Sequence, residues 1–287
     1  MKPYILVLIV LSSLFFSCEQ VVDIDLNEVA PAIVIEGRVL KDSLAWVQVR
    51  QTTSYFHPDT QQCICNAVVT IREDENTPDT LVHELRGTYR STALRGKERS
   101  TYHLRVTYGN EIYEAEAYLN ETPRIYSLTQ RSFGSFGSFG DSSGLDFGGG
   151  VFPDTIPYFL FVDLYEDQDT ENFYMFEYCA NGELISGIYN VGSDENARGD
   201  TLSYSPGPRA LFYPGDTVSV RVHAIDEGVY TYFDQLNDAL NSNSFFSSTP
   251  YNPLSNISNG ALGYFAAMSA DCDTTVITYE VPVFPRP

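Results

Sequence analysis

Apolar and polar side chains alternate with a period of two along most of the chain beyond Ala32, and this pattern commits it to β-structure more firmly than any other feature. Successive side chains of a strand point to opposite faces, so alternation buries one face and leaves the other wet. Ile33-Val34-Ile35-Glu36-Gly37-Arg38-Val39 and Ala45-Trp46-Val47-Gln48-Val49-Arg50 show it most clearly. Further strand-like runs follow at residues 67–72, 80–85, 87–90, 101–108 and 111–115, with turn-forming residues between them. Gly109-Asn110 separates the last two and reads as a tight hairpin turn, because both residue types tolerate positive φ. Short strands at this spacing predict a β-sandwich, immunoglobulin-like or transthyretin-like, over residues 30–120.

Residues 121–157 read as a connector. It carries a low-complexity Ser-Phe-Gly insertion at residues 132–140 and then Gly148-Gly149-Gly150, which suits a flexible flap or a sticky contact with a partner rather than a phosphate loop. Alternation resumes at residues 158–164 and 172–178, and strands are also expected at 217–224 and 275–281, giving a C-terminal β domain over 158–287. Between them, Val229, Phe233, Leu236 and Leu240 recur every three or four residues, which predicts one short amphipathic helix from Asp226, its cap, to Asn241. The predicted fold is therefore all-β, with two β-sandwich-like domains and one helix in the second.

The first residues have a different character. A lysine, an apolar run through Phe16 and then Ser17-Cys18 have the order of a secretory signal. The run is shorter than the roughly 20 residues that cross a bilayer, so it reads as a segment to be removed. Residues 1–17 are expected to be the signal peptide, Cys18 the lipidated N-terminus and residues 18–29 a linker. Beyond Cys18 four cysteines remain, in a compartment where disulfides persist. Cys179 with Cys272 is the first pairing expected, leaving Cys63 and Cys65 paired locally or free. A zinc site at Cys63-Ile64-Cys65 lacks the wider spacing and second ligand pair that zinc fingers use.

A formal charge of −21 argues against nucleic acid as a partner, since phosphates require a basic face. Signatures of catalysis are absent. His57, His83, His103 and His223 are scattered without a metal-binding spacing, and no GxSxG elbow is present. These observations predict no catalytic, metal-ligating or cofactor-binding residues. Asp163, Glu166, Asp167, Asp169 and Glu171 offer oxygens to calcium, but without the glycine and terminal glutamate of an EF-hand they read first as a solvated hairpin. Arg198-Gly199-Asp200 matches an integrin-binding tripeptide and reads as a polar turn.

Several phrases taken in order resemble an envelope lipoprotein family of Bacteroidota, domain of unknown function 4249. They are Val22-Asp23-Ile24-Asp25-Leu26, Ile33-Val34-Ile35-Glu36-Gly37, Thr52-Thr53-Ser54-Tyr55-Phe56, Asn66-Ala67-Val68-Val69-Thr70-Ile71 with Gly87-Thr88-Tyr89, and Glu171-Asn172-Phe173-Tyr174-Met175-Phe176. The most distinctive is Ser255-Asn256-Ile257-Ser258-Asn259-Gly260-Ala261-Leu262-Gly263-Tyr264-Phe265. The resemblance implies an accessory lipoprotein beside a TonB-dependent outer-membrane receptor, and it brings no catalytic residues. The expectation is thus a non-catalytic, lipid-anchored outer-membrane protein facing the cell exterior, or alternatively the periplasm. Its ligand would be a small molecule, glycan or peptide. A surface adhesin for host or matrix protein and a hydrolase without a recognisable motif are the alternatives.

Overall fold

The computed structural model describes residues 31–53, 62–132, 157–165, 171–185, 189–195, 201–207, 210–241 and 251–279. Cys18 and its signal, His57, the Ser-Phe-Gly insertion beyond Ser132, residues 166–170 and Arg198-Gly199-Asp200 lie outside them. The N-terminal half supplies β1 (Ile33–Leu40), β2 (Leu44–Gln51), β3 (Gln62–Cys63), β4 (Val68–Glu73), β5 (Asp79–Thr80), β6 (Val82–Leu85), β7 (Thr88–Arg95), β8 (Ser100–Tyr108) and β9 (Glu111–Leu119). Then follow β10 (Ile125–Ser132), β11 (Tyr158–Tyr165), β12 (Phe173–Ala180), β13 (Glu183–Leu184), β14 (Asn190–Ser193), β15 (Thr201–Tyr204), β16 (Thr217–Ile225), α1 (Glu227–Asn241) and β17 (Leu262–Val276). The all-β class holds, and the helix begins and ends where the spacing of its apolar residues placed it.

One long sheet organises the molecule, with strands side by side in the order β6-β7-β2-β1-β17-β16-β12-β13, β3 added to β2 and β14 to β12. A four-stranded sheet, β5-β4-β8-β9, and a three-stranded sheet, β10-β11-β15, both pack on one face of it. The first core fills the space under the four-stranded sheet with Ile35, Val39, Val47, Val69, Leu104, Val106 and Phe265. The second lies under the three-stranded sheet and uses Leu160, Val162, Phe176, Tyr178, Val220 and Val222. Helix α1 covers the opposite face, where Val229 and Phe233 meet Met175, Tyr264, Ala266 and Met268.

The two sandwich cores do not make separate domains: residues 31–287 form one compact unit. The cause is β17. Its first half pairs in parallel with β1, from Val34 opposite Leu262 to Leu40 opposite Met268. Its second half pairs antiparallel with β16, from Ala224 opposite Ser269 to Thr217 opposite Val276. The strand thus crosses from one sandwich to the other as a shared spine. A strand expected at 275–281 is corrected accordingly, since β17 ends at Val276. Its apolar core, Gly263 to Ser269, is buried on both faces and so shows no alternation to betray it.

The phrase before β17 is explained by how it holds this spine. The Asn256 amide behaves like one residue of a neighbouring strand: its Nδ2 donates to the Phe265 carbonyl at 2.7 Å and its Oδ1 accepts from the Phe265 N–H at 2.9 Å. Ser258 does the same for the edge of β9, donating its N–H to the Glu114 carbonyl and accepting the Glu114 N–H on Oγ, both at 2.8 Å. An open strand edge is thereby closed. Asn259 and Gly260 turn the chain with φ of 58° and 70°. Gly263 has φ of 97°, and a Cβ there would sit 2.1 Å from the Ile35 carbonyl oxygen, so only glycine fits.

The expected disulfide between Cys179 and Cys272 is also corrected. Cys179 lies opposite Ser219 and Cys272 opposite Arg221, on β12 and β17, with β16 running between them. Two strand spacings of about 4.8 Å alone exceed the roughly 7 Å Cα limit for a bridge. Both thiols are free. No local bridge joins Cys63 to Cys65 either: the Cys65 thiol is free and lies 3.8 Å from the Cys63 carbonyl oxygen.

Candidate functional site

Because the two smaller sheets stand side by side on one face of the long sheet, a cleft of about 820 Å³ opens between them. One wall comes from the end of β9 and the segment leading to β10, with Tyr118, Asn120, Glu121 and Arg124. The other comes from the end of β11 (Tyr165), the start of β12 (Glu171, Phe173) and the start of α1 (Asp226, Glu227). The floor is Tyr174, Ala224 and Ile225 of the long sheet. Tyr118 and Tyr165 stand exposed, and Tyr126 packs edge-on against Tyr165 with ring centroids 5.0 Å apart. Its size lies within the range of ligand pockets.

Hydrogen bonds fix the wall between β9 and β10. Asn120 Nδ2 donates to the Ile225 carbonyl at 3.2 Å, and the Ile125 N–H donates to Asp271 Oδ2 at 3.0 Å. Lys41 Nζ donates to Glu98 Oε1 and to Thr122 Oγ1 at 2.8 and 2.9 Å, while the Thr122 N–H and hydroxyl both donate to Glu98. These donors, the lysine foremost, hold the Glu98 carboxyl down at about 2. The segment over the cleft is therefore clasped to both sandwiches, and the cleft is preformed.

Asp226 sits at the junction of floor and helix. Its Oδ1 accepts the Val229 N–H at 2.8 Å, the bond of an N-cap. Burial pushes its carboxyl up to about 6 in spite of the amides that stabilise the anion. A raised carboxyl in a cleft suggests an acid, but this one is occupied in capping the helix. Arg99 Nε donates to Glu121 Oε1 at 2.6 Å. Glu171 and Glu227 are exposed and have no ion-pair partner among the described residues, and neither has Arg124.

The histidines lie elsewhere. His83 Nε2 accepts the Gly87 N–H at 3.3 Å and packs on Tyr89, and His103 pairs with Glu116 at 3.3 Å on the outer face of β8 and β9. His223 is buried on the helix side of the sheet, its Nε2 3.1 Å from Glu177 Oε2 but off the axis of a hydrogen bond. That contact draws the Glu177 carboxyl below its usual value. Asp163 accepts the Ser127 hydroxyl at 2.7 Å. Among the described residues no group of three His, Cys, Asp or Glu side chains could hold a metal ion.

A second polar surface covers the open face of β1, β2 and β7. There the Arg38 guanidinium lies over Trp46 and Tyr264, 5.8 and 5.5 Å from their ring centroids, and donates to the Tyr264 hydroxyl at 2.8 and 2.5 Å. Arg50 pairs with Glu36 at 2.9 Å and Arg90 with Glu84 at 3.1 Å. These groups satisfy one another, as a solvated sheet face does.

The family model described as domain of unknown function (DUF4249) matches residues 19–273, nearly the whole chain. The protein belongs to this family. The DUF4249 match runs from before β1 into β17, so both sandwiches and the cleft between them fall within one family unit. No curated protein matches the chain. Sequence reading did not assemble the cleft residues, because Tyr118, Arg124, Tyr165, Glu171 and Glu227 come from five separate segments and share no motif.

Proposed function

We propose that this DUF4249 protein is a non-catalytic lipoprotein of the Bacteroidota outer membrane, anchored through Cys18, which binds a ligand in the cleft as an accessory of a TonB-dependent receptor. The observation that carries the ligand-binding part is the cleft itself: preformed, about 820 Å³, and bordered by exposed tyrosines. Rigid aromatic walls contribute contact area at little cost in ordering, which favours binding. For the anchor, the support is the signal-like run ending in Ser17-Cys18. For the partner, it is the family resemblance.

The test is affinity purification of the native lipoprotein from detergent-solubilised outer membranes, followed by mass spectrometry. A stoichiometric TonB-dependent receptor is the expected companion. Recovery of intact protein alone would overturn the accessory role. A Cys18→Ser variant is expected to leave the membrane fraction, and its retention there would overturn the anchor.

A further inference from the structure

The charge distribution around the cleft is uneven once its internal pairs are removed. Arg99 and Glu121 neutralise each other, and the Asp226 carboxylate is spent on helix amides. Among the described residues, what remains is Glu171 and Glu227 on one wall against Arg124 on the other. Tyr165, exposed, stands on the same wall as the two carboxylates, whereas the Phe173 ring beside it is packed against Tyr230 of α1. An aromatic face is the negative pole of its ring quadrupole, so rings and carboxylates favour the same kind of ligand. Across the whole chain, −21 of formal charge draws cations toward the surface.

Resting on the reading of the cleft as a ligand site, we propose that it takes a short basic peptide segment. A lysine or arginine side chain of the ligand lies against Tyr165 and pairs with Glu171 and Glu227. Arg124, the cation left over, donates to a carbonyl or to the terminal carboxylate of the peptide. A neutral sugar could stack on the tyrosines, but it would leave both carboxylates unneutralised. An acidic ligand would meet a surplus of like charge.

Calorimetric titration of the detergent-solubilised full lipoprotein with tetralysine, tetraglutamate and maltotetraose separates these cases. Tetralysine is expected to bind, more weakly as salt is raised, and to lose about ten-fold in affinity in a Glu171→Gln/Glu227→Gln variant. A Glu114→Gln/Glu116→Gln variant removes the same charge from the outer face of β9 and is expected to bind as wild type does. The inference fails if tetralysine does not bind, if both double variants lose affinity equally, or if tetraglutamate binds as well. Maltotetraose binding that Tyr165→Ala abolishes would keep the ligand site and reject the basic peptide. Absence of a receptor from the outer-membrane purification would reject the accessory role without touching this result.

Discussion

Replacing Asp226 by asparagine should stabilise the protein at neutral pH, although it removes the charge of a helix cap. Asparagine caps as well as aspartate does, so the acceptor for the Val229 N–H survives. What disappears is the cost of keeping a carboxylate ionised in a buried position. That cost is visible in its pKa, raised from 3.8 to about 6 by burial. Two pKa units correspond to about 3 kcal/mol, and water reaching part of the side chain reduces the expected gain to about 1–2 kcal/mol. The sign follows from proton binding. Between pH 3.8 and about 6 the folded protein holds a proton that the unfolded chain has lost, so this group's contribution to stability falls as pH rises through that window. The wild-type and Asp226→Asn curves should therefore coincide near pH 4 and separate toward pH 8, with the variant above. Urea denaturation at a series of pH values measures this directly. A variant less stable than wild type at pH 8 would mean that attraction between the anion and the helix N-terminus outweighs desolvation, and the argument would be refuted.

Four further outcomes follow from the packing. Gly263→Ala should cost well over 3 kcal/mol or prevent folding, because the new methyl meets backbone 2.1 Å away, whereas Gly109→Ala, with φ of 60° and open space around it, should cost about 1–2 kcal/mol in the same urea titration. Asn256→Ala leaves the Phe265 N–H and carbonyl without their partner and should cost about 2–4 kcal/mol, while a loss under 0.5 kcal/mol would show that water replaces the amide. Glu98 has its carboxyl lowered from 4.5 to about 2, so the stability it contributes is complete above pH 4.5 and is lost as pH falls toward 2; acid titration should show a shallower acid limb in Glu98→Gln. Alkylation of unreduced, denatured protein should modify both Cys179 and Cys272, and a linked peptide pair in the mass spectrum would contradict a strand order in which β16 separates β12 from β17.

How much of this was legible in the sequence depended on whether an element meets water. Strands β1, β2, β8 and β11 have one core face and one wetter face, and their alternation declared them. Helix α1 has the same property at its own period, and Asp226 marked its start. Strand β17 has neither face exposed between Gly263 and Ser269, and the residues that hold it, Asn256, Gly260 and Gly263, resemble a loop when read in sequence. Its position as the spine was therefore hidden, and with it the fusion of the two sandwiches. The same blindness misjudged the cysteines, since nearness to strand-like runs carries no information about how many strands intervene. The cleft is a consequence of this one misread element. Had the sandwiches been independent, the segment from Asn120 to Arg124 would be a free linker and its charges would have no fixed neighbours. Because β17 ties both sandwiches into one sheet, that segment is stretched over a floor of fixed width, and Arg124, Glu171 and Glu227 are left facing a common space.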